Sequence, residues 1–223
     1  YEATLPSKFS RDPAELTVEK LRDRALVYID GKLVGVLSRE NVIKSIPLNM
    51  HNAGKKVQIL VENQGRINFQ ENFDFKGILG NVTIQIFDEP YYEEISDWTI
   101  TGYPFEEYSQ IESFIVSEAG SNYQLSKNGW LKEGPVLFHG TLTLDISQII
   151  YDTWMDVKGW SKGSLFVNGF NLGRYWSVGP QMTMYIPKEH LKHGNNSIVL
   201  LELQKAPVDL QLNFADAADF NEN

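Results

Sequence analysis

The sequence of 223 residues has no cysteine. That excludes disulfide staples, cysteine-bound zinc and thiol nucleophiles. Positive charge is scarce: 20 lysines and arginines stand against 29 aspartates and glutamates, for a net charge of −9. A nucleic-acid binder needs a basic face to displace counterions, so that class is excluded. No basic amphipathic segment suits a membrane surface, and no apolar run approaches the roughly 18 residues of a membrane-spanning helix. Helical periodicity is rare. Only 106–116, EEYSQIESFIV, has the spacing of a short amphipathic helix. The sequence also lacks a G-x-S-x-G elbow, a phosphate-binding glycine loop and an aspartate-rich calcium loop. His190 and His193 are three apart, but they sit beside Pro187, Lys188 and Gly194 and suit a surface turn better than a metal pair without a third ligand. No metal and no cofactor are expected.

What the sequence has in quantity is short strands. The chain is 42% hydrophobic and 12% aromatic, enough for one large core or two modest ones. Strand-like runs of β-branched and aromatic residues fall at 26–29, 33–37, 57–61, 82–87, 141–144, 165–167, 182–186 and 198–203. Glycine, proline and asparagine punctuate them. Asp30-Gly31 and Asn168-Gly169 each join two such runs, as tight hairpin turns do. Many short strands with this punctuation predict an all-β chain of sandwich or jelly-roll type.

The strands repeat. Val27-Tyr-Ile-Asp-Gly-Lys-Leu-Val-Gly35 aligns with Leu165-Phe-Val-Asn-Gly-Phe-Asn-Leu-Gly173. Upstream, Tyr1-Glu-Ala-Thr-Leu5 meets Phe138-His-Gly-Thr-Leu142. Downstream, Ile46-Pro47, Gly54 and Glu62 meet Ile186-Pro187, Gly194 and Glu202. Three matches in order, with little drift in spacing, predict a duplicated β-domain. The second copy is preceded by further foldable sequence at 91–98 and 122–131, whereas nothing precedes Tyr1. We therefore expect the first domain to lack N-terminal strands and the chain to be the C-terminal part of a longer polypeptide.

Candidate chemistry is sparse. Glycoside hydrolysis needs two carboxyl groups facing each other across a sugar bond. Asp88-Glu89 and Glu93-Glu94 are adjacent in sequence, so in strands they point to opposite faces, and solvated charge is the better reading. The tryptophans at 98, 130, 154, 160 and 176 offer stacking faces for sugars, although sandwich tryptophans are more often core. Asn81-Val-Thr83 and Asn195-Asn-Ser197 are N-glycosylation triplets, which permit a lysosomal or secreted location.

One further pattern is specific. Gly159-Trp160-x-Lys162-Gly163, Val167-Asn-Gly-Phe-Asn-Leu-Gly-Arg-Tyr-Trp176 and Gly179-Pro180-Gln181-x-Thr183-x-Tyr185-x-Pro187 resemble the C-terminal region of animal β-galactosidases of glycoside hydrolase family 35. So do Asp23-Arg24-Ala25, Leu60-Val-Glu-Asn-x-Gly-Arg-Ile-Asn68 and Phe73-Asp-Phe-Lys-Gly77. Asp97-Trp98-Thr99-Ile100 looks like the family's passage into its second β-domain. The resemblance covers about residues 1–207.

The resemblance implies two tandem galactose-binding-like jelly rolls, at 1–92 and 93–215, with a flexible tail at 216–223. It implies a partner, an N-terminal catalytic barrel that carries both glutamates of a retaining mechanism. No catalytic residue is expected in this chain, which alone should be inactive. In the family, the turn matching Gly65-Arg66-Ile67-Asn68-Phe69 reaches over the barrel mouth and its tyrosine lines the galactose pocket. Phe69 occupies that tyrosine position, which keeps the ring face and removes a hydroxyl. Asn68 and Phe69 are thus the expected contacts to a galactoside, Asn81 and Asn195 the expected glycan acceptors. The alternatives are a free carbohydrate-binding module and a structural docking piece, for example in a homodimer.

Overall fold

The computed structural model describes residues 1–9, 12–69, 73–86, 92–105, 108–118 and 135–220. The chain divides into two units, Tyr1–Tyr103 and Pro104–Asn223. Both are built almost wholly of antiparallel strands.

The first unit holds β1 (Glu2–Thr4), β2 (Ala14–Val18), β3 (Leu21–Arg22), β4 (Arg24–Ile29), β5 (Lys32–Ser38), β6 (Ser45–Leu48), β7 (Lys56–Glu62), β8 (Gly77–Ile78), β9 (Val82–Ile86) and β10 (Tyr92–Glu94). They form a sheet of order β1-β7-β4-β5, a second of order β10-β9-β2-β6, and a small β3-β8 pair. Alternate side chains of the two larger sheets meet in one core. Val27, Ile29, Val57 and Ile59 come from the first sheet, and Leu16, Val18, Ile46 and Ile84 from the second. This is the sandwich that period-two patterning predicts.

The second unit opens with α1 (Tyr108–Glu118), followed by β11 (Val136–Leu144), β12 (Thr153–Asp156), β13 (Lys162–Val167), β14 (Phe170–Trp176), β15 (Thr183–Ile186), β16 (Gly194–Glu202) and β17 (Asn213–Ala215). Its sheets run β11-β16-β13-β14 and β15-β12-β17. Met155, Trp160, Leu165, Val167, Ile186 and Leu200 fill the space between them. The expected helix is present, and its buried Ile111 packs on Phe166 and Val199. The segment 122–131, read as foldable, lies outside the described residues.

The repeat is confirmed strand by strand. Sheet order β1-β7-β4-β5 becomes β11-β16-β13-β14, and β6-β2-β9 becomes β15-β12-β17. Both hairpin turns have positive φ at both central residues: 48° and 75° at Asp30-Gly31, 48° and 87° at Asn168-Gly169. These are the mirror-image turns that match the strand twist. Each hairpin even breaks register at the same place, between Val27 and Tyr28 and between Leu165 and Phe166.

Three expectations are corrected. Among the described residues, the first unit has a counterpart for each strand of the second and adds β3, β8 and β10. Its N-terminal shortfall is confined to β1, which pairs with three residues of β7, whereas β11 pairs along all of Gly194–Glu202. The division falls after Tyr103, not after residue 92. Tyr92–Glu94 pairs with β9, Ile95 is buried in the first core, and Thr99 bridges to Glu2. The tail from 216 is tied down through Phe220. The Met182 amide donates to the Asp219 carbonyl at 2.9 Å, Asp219 pairs with Lys158, and Phe220 bridges to Gln181.

The glycines of the specific pattern have steric reasons. A Cβ on Gly163 would lie 1.7 Å from the Leu201 carbonyl oxygen, where β13 and β16 run side by side. Backbone cannot yield as a side-chain end can. Gly163→Ala is expected to cost the second unit about 3 kcal/mol or more, the upper end of overpacking effects, with the first unit unchanged. Domain-resolved calorimetry checks this.

Candidate functional site

The first unit joins β7 to β8 by a long irregular segment, 63–76, which carries the candidate substrate contacts. Gly65 has φ 99°, and its amide donates to the Asn63 side chain at 2.9 Å, which turns the chain out of the sheet. Beyond it lie Arg66, Ile67, Asn68 and Phe69, all exposed. Phe69 is 75% exposed, and Phe73 and Phe75, at 93% and 67%, stack on each other with ring centroids 6.3 Å apart. The segment thus turns its apolar side chains outward.

Its two ends converge on one carboxylate. Asp23, between β3 and β4, is 1% exposed. Its Oδ2 accepts from the Gln64 amide at 2.8 Å and from Lys76 Nζ at 2.7 Å; its Oδ1 accepts from Arg39 at 2.5 Å. Lys76 also donates to the Gly65 carbonyl and to Asp74 at 2.7 Å. Arg39 reaches both oxygens of Asp74 at 3.1 and 3.2 Å. Asp23 is anchored through its backbone as well: its amide donates to the Glu62 carbonyl at 3.2 Å, and its carbonyl accepts from the Arg39 amide at 2.7 Å. Two anions and two cations therefore bind the first and last residues of the segment to the ends of β4, β5 and β7.

The charges tune one another. Burial opposes ionisation of Asp23, but hydrogen bonds from Lys76, the Gln64 amide and Arg39 outweigh it and hold the carboxyl below its ordinary pKa. The Lys76 bond, and then Arg39, do the same for Asp74. Lys76 loses hydration, yet its bonds to Asp23 and Asp74 keep it above an ordinary lysine.

The structure brings Asn68 and Phe69 together on this segment but into no cavity. A cleft of the first unit of about 580 Å³ is lined elsewhere, by Glu2, Lys56, Glu93, Glu94 and Asp97 among others. Glu93 and Glu94 are exposed on β10. Among the described residues no group of three His, Asp or Glu could hold a metal. His190 stacks on Phe170 at 3.8 Å, while His193 meets the Asp145 carbonyl, so the two histidines have separate structural partners. Trp98 and Trp160 pack on the two cores, and Trp176 lies over Lys162 at 3.7 Å. Trp154 and Tyr185 pair at 5.3 Å. Asn81 and Asn195 are both exposed, Asn81 just before β9 and Asn195 within β16, where it accepts from Thr143 at 2.9 Å. Spacing arguments missed the ion network, since its members are scattered from Asp23 to Lys76. The usable signal was charge embedded at the ends of apolar strands.

Comparison with known families decides the kinship. Residues 1–105 match the first all-beta domain of beta-galactosidase, and residues 135–196 match its galactose-binding domain. The chain carries the β-domains of the β-galactosidase family. It is 34% identical over 222 residues to a beta-galactosidase of Felis catus, covering 94% of this chain and 32% of that protein. Identity to the Homo sapiens beta-galactosidase is 34% over 220 residues, covering 93% and 31%. For beta-galactosidase 17 of Arabidopsis thaliana it is 32% over 238 residues, covering 99% and 33%. The chain thus spans about a third of the length of these curated relatives. The first matched region ends close to the structural division at Tyr103.

The network sets a pH dependence. A carboxyl held below its unfolded pKa, about 3.9 for aspartate, adds stability above that value and loses it as pH falls through the folded pKa. Unfolding of the first unit should therefore owe no loss to Asp23 or Asp74 between pH 7 and 5, and should become steeply easier below about pH 4. Asp23→Asn, which leaves Lys76 and Arg39 to share Asp74, should cost about 2 kcal/mol at pH 7 and flatten that acid limb. Chemical denaturation across pH measures both.

Proposed function

We propose that the chain is the non-catalytic β-region of a β-galactosidase that removes terminal β-D-galactose from glycoconjugates. A catalytic barrel outside this chain supplies the two glutamates, and the β-domains stabilise it and complete the edge of its galactose pocket. The observation that carries the reading is the outward segment 66–69 on the first β-galactosidase domain, which presents Asn68 and Phe69 away from the chain's own core. An exposed aromatic next to an amide suits a sugar, whose C–H face stacks on the ring while its hydroxyls bond the amide. Neither residue lines the 580 Å³ cleft of the first unit, and both are exposed, which suits a pocket closed by a second surface. The same fact weighs against a free carbohydrate-binding module.

In the proposed enzyme, Asn81 and Asn195 are glycan acceptors, consistent with a lysosomal or secreted location. Treatment with an N-glycan amidase after secretory expression should lower the mass by two glycans. No change in mass contradicts this part.

In the polypeptide joined to its barrel, Phe69→Ala should lower kcat/KM for a β-galactoside about tenfold, equivalent to roughly 1.4 kcal/mol of lost contact. Phe69→Tyr restores a hydroxyl and should change kcat/KM by up to about fivefold, the worth of one hydrogen bond of about 1 kcal/mol. The isolated chain should neither hydrolyse galactosides nor give measurable heat with galactose. Unchanged kinetics for Phe69→Ala, or galactose affinity of the isolated chain, contradicts the pocket-edge reading and favours a binding module.

A further inference from the structure

We propose that Asp74 and Lys76, together with Asp23 and Arg39, are positioning residues: their ion network fixes the geometry of segment 63–76 so that Asn68 and Phe69 are presented in one place. The role in galactoside binding rests on the function proposed above; the positioning itself does not.

The repeat supplies the comparison. In the second unit the matching connection leaves β16 at Glu202 and reaches β17 at Asn213. Most of its apolar side chains turn inward: Ala206 is buried and Leu210 and Leu212 pack on the core, while Val208 is exposed. The connection is started by the fully buried Glu202, whose carboxylate accepts from the amides of Ser161, Lys162, Gln204 and Lys205 and from the Tyr175 hydroxyl. Packing, the Glu202 carboxylate and bonds from the Trp160 ring nitrogen to the Gln211 carbonyl and from the Ser161 hydroxyl to the Lys205 carbonyl hold that segment. In the first unit the connection is longer, and Ile67, Phe69, Phe73 and Phe75 are exposed. Packing therefore cannot fix it, and a connection of this length without regular structure has many open conformations. Among the described residues, the network's ties fall at its two ends, on Gln64 and Gly65 at the start and on Asp74 and Lys76 at the finish. The clamps at Gln64 and Gly65 stand directly before the residues whose side chains are presented, Asn68 and Phe69.

The charges also fit the task. Each carboxylate bridges both cations, Asp23 to Arg39 and Lys76, and Asp74 to the same two. These four charges, with Arg22 also 3.8 Å from Asp74, resist rotation better than one pair, because none of the four can swing away without breaking two bonds.

The test uses Lys76→Met and the milder Asp74→Asn, whose side chain keeps its shape. Hydrogen exchange is measured on the whole chain, with the amides of 64–69 compared against those of β4 and β7. About a tenfold or greater rise in exchange confined to 64–69 is expected, greater for Lys76→Met than for Asp74→Asn. Unchanged exchange in that segment overturns the proposal. An equal rise in β4 and β7 also overturns it, because the network would then hold the sheet and not the segment. In the polypeptide joined to its barrel, the same variants should raise KM several-fold with kcat little changed. Raised local exchange with unaltered KM leaves the positioning role standing and refutes the pocket-edge function, so the two failures are distinguishable.

Discussion

The buried carboxylate of Asp23 is the constraint on which the first unit's functional edge depends. An ionised group at 1% exposure is tolerable only if the lost hydration is replaced. Here Lys76, Arg39 and the Gln64 amide replace it, and in doing so they join three strand ends to both ends of one segment. The same bonds that make the charge tolerable define the geometry. Removing a partner leaves a charge with poor solvation, which is why the network behaves as a unit. The second unit solves the equivalent problem at Glu202 with backbone amides and the Tyr175 hydroxyl, whose pKa burial and the nearby carboxylate push well above its ordinary value. One duplicated frame thus carries two different closures at the end of corresponding strands.

Much of that frame was legible in the sequence because its signals are local. Asp30-Gly31 and Asn168-Gly169 announce turns that need positive φ, and the structure has it at all four residues. Internal alignment then predicted a duplicated β-domain, and the two units repeat one strand order. The spacing of EEYSQIESFIV marked the helix, of which Tyr108–Glu118 is described. The division after Tyr103 was not legible, since β10 is the polar, exposed Tyr92–Glu94 and joins its sheet by backbone bonds alone. The attachment of 216–220 was hidden for a related reason: it depends on Asp219 meeting Lys158 and the Met182 amide, pairings that no periodicity encodes. The ion network escaped because Asp23, Arg39, Asp74 and Lys76 are adjacent only after folding. Asn68 and Phe69 were singled out by resemblance, and the structure adds how their segment is held.

Kinship and geometry bear on different questions. The two domain matches say what family the β-domains come from. The sandwiches explain why glycines such as Gly163 belong to its pattern: backbone passes where a Cβ would stand. In the function proposed above, a rigid frame, an outward segment and a clamp at its base suffice for a part that shapes a pocket made elsewhere.

The most direct test of this account is a double-mutant cycle between Asp23 and Lys76, with Asp23→Asn, Lys76→Met and the pair compared in the unfolding free energy of the first unit at pH 7. The account predicts a coupling of about 1.5 kcal/mol or more, because both single changes break the same Asp23–Lys76 bond, which the double change loses only once. Additive effects, with coupling near zero, would contradict it.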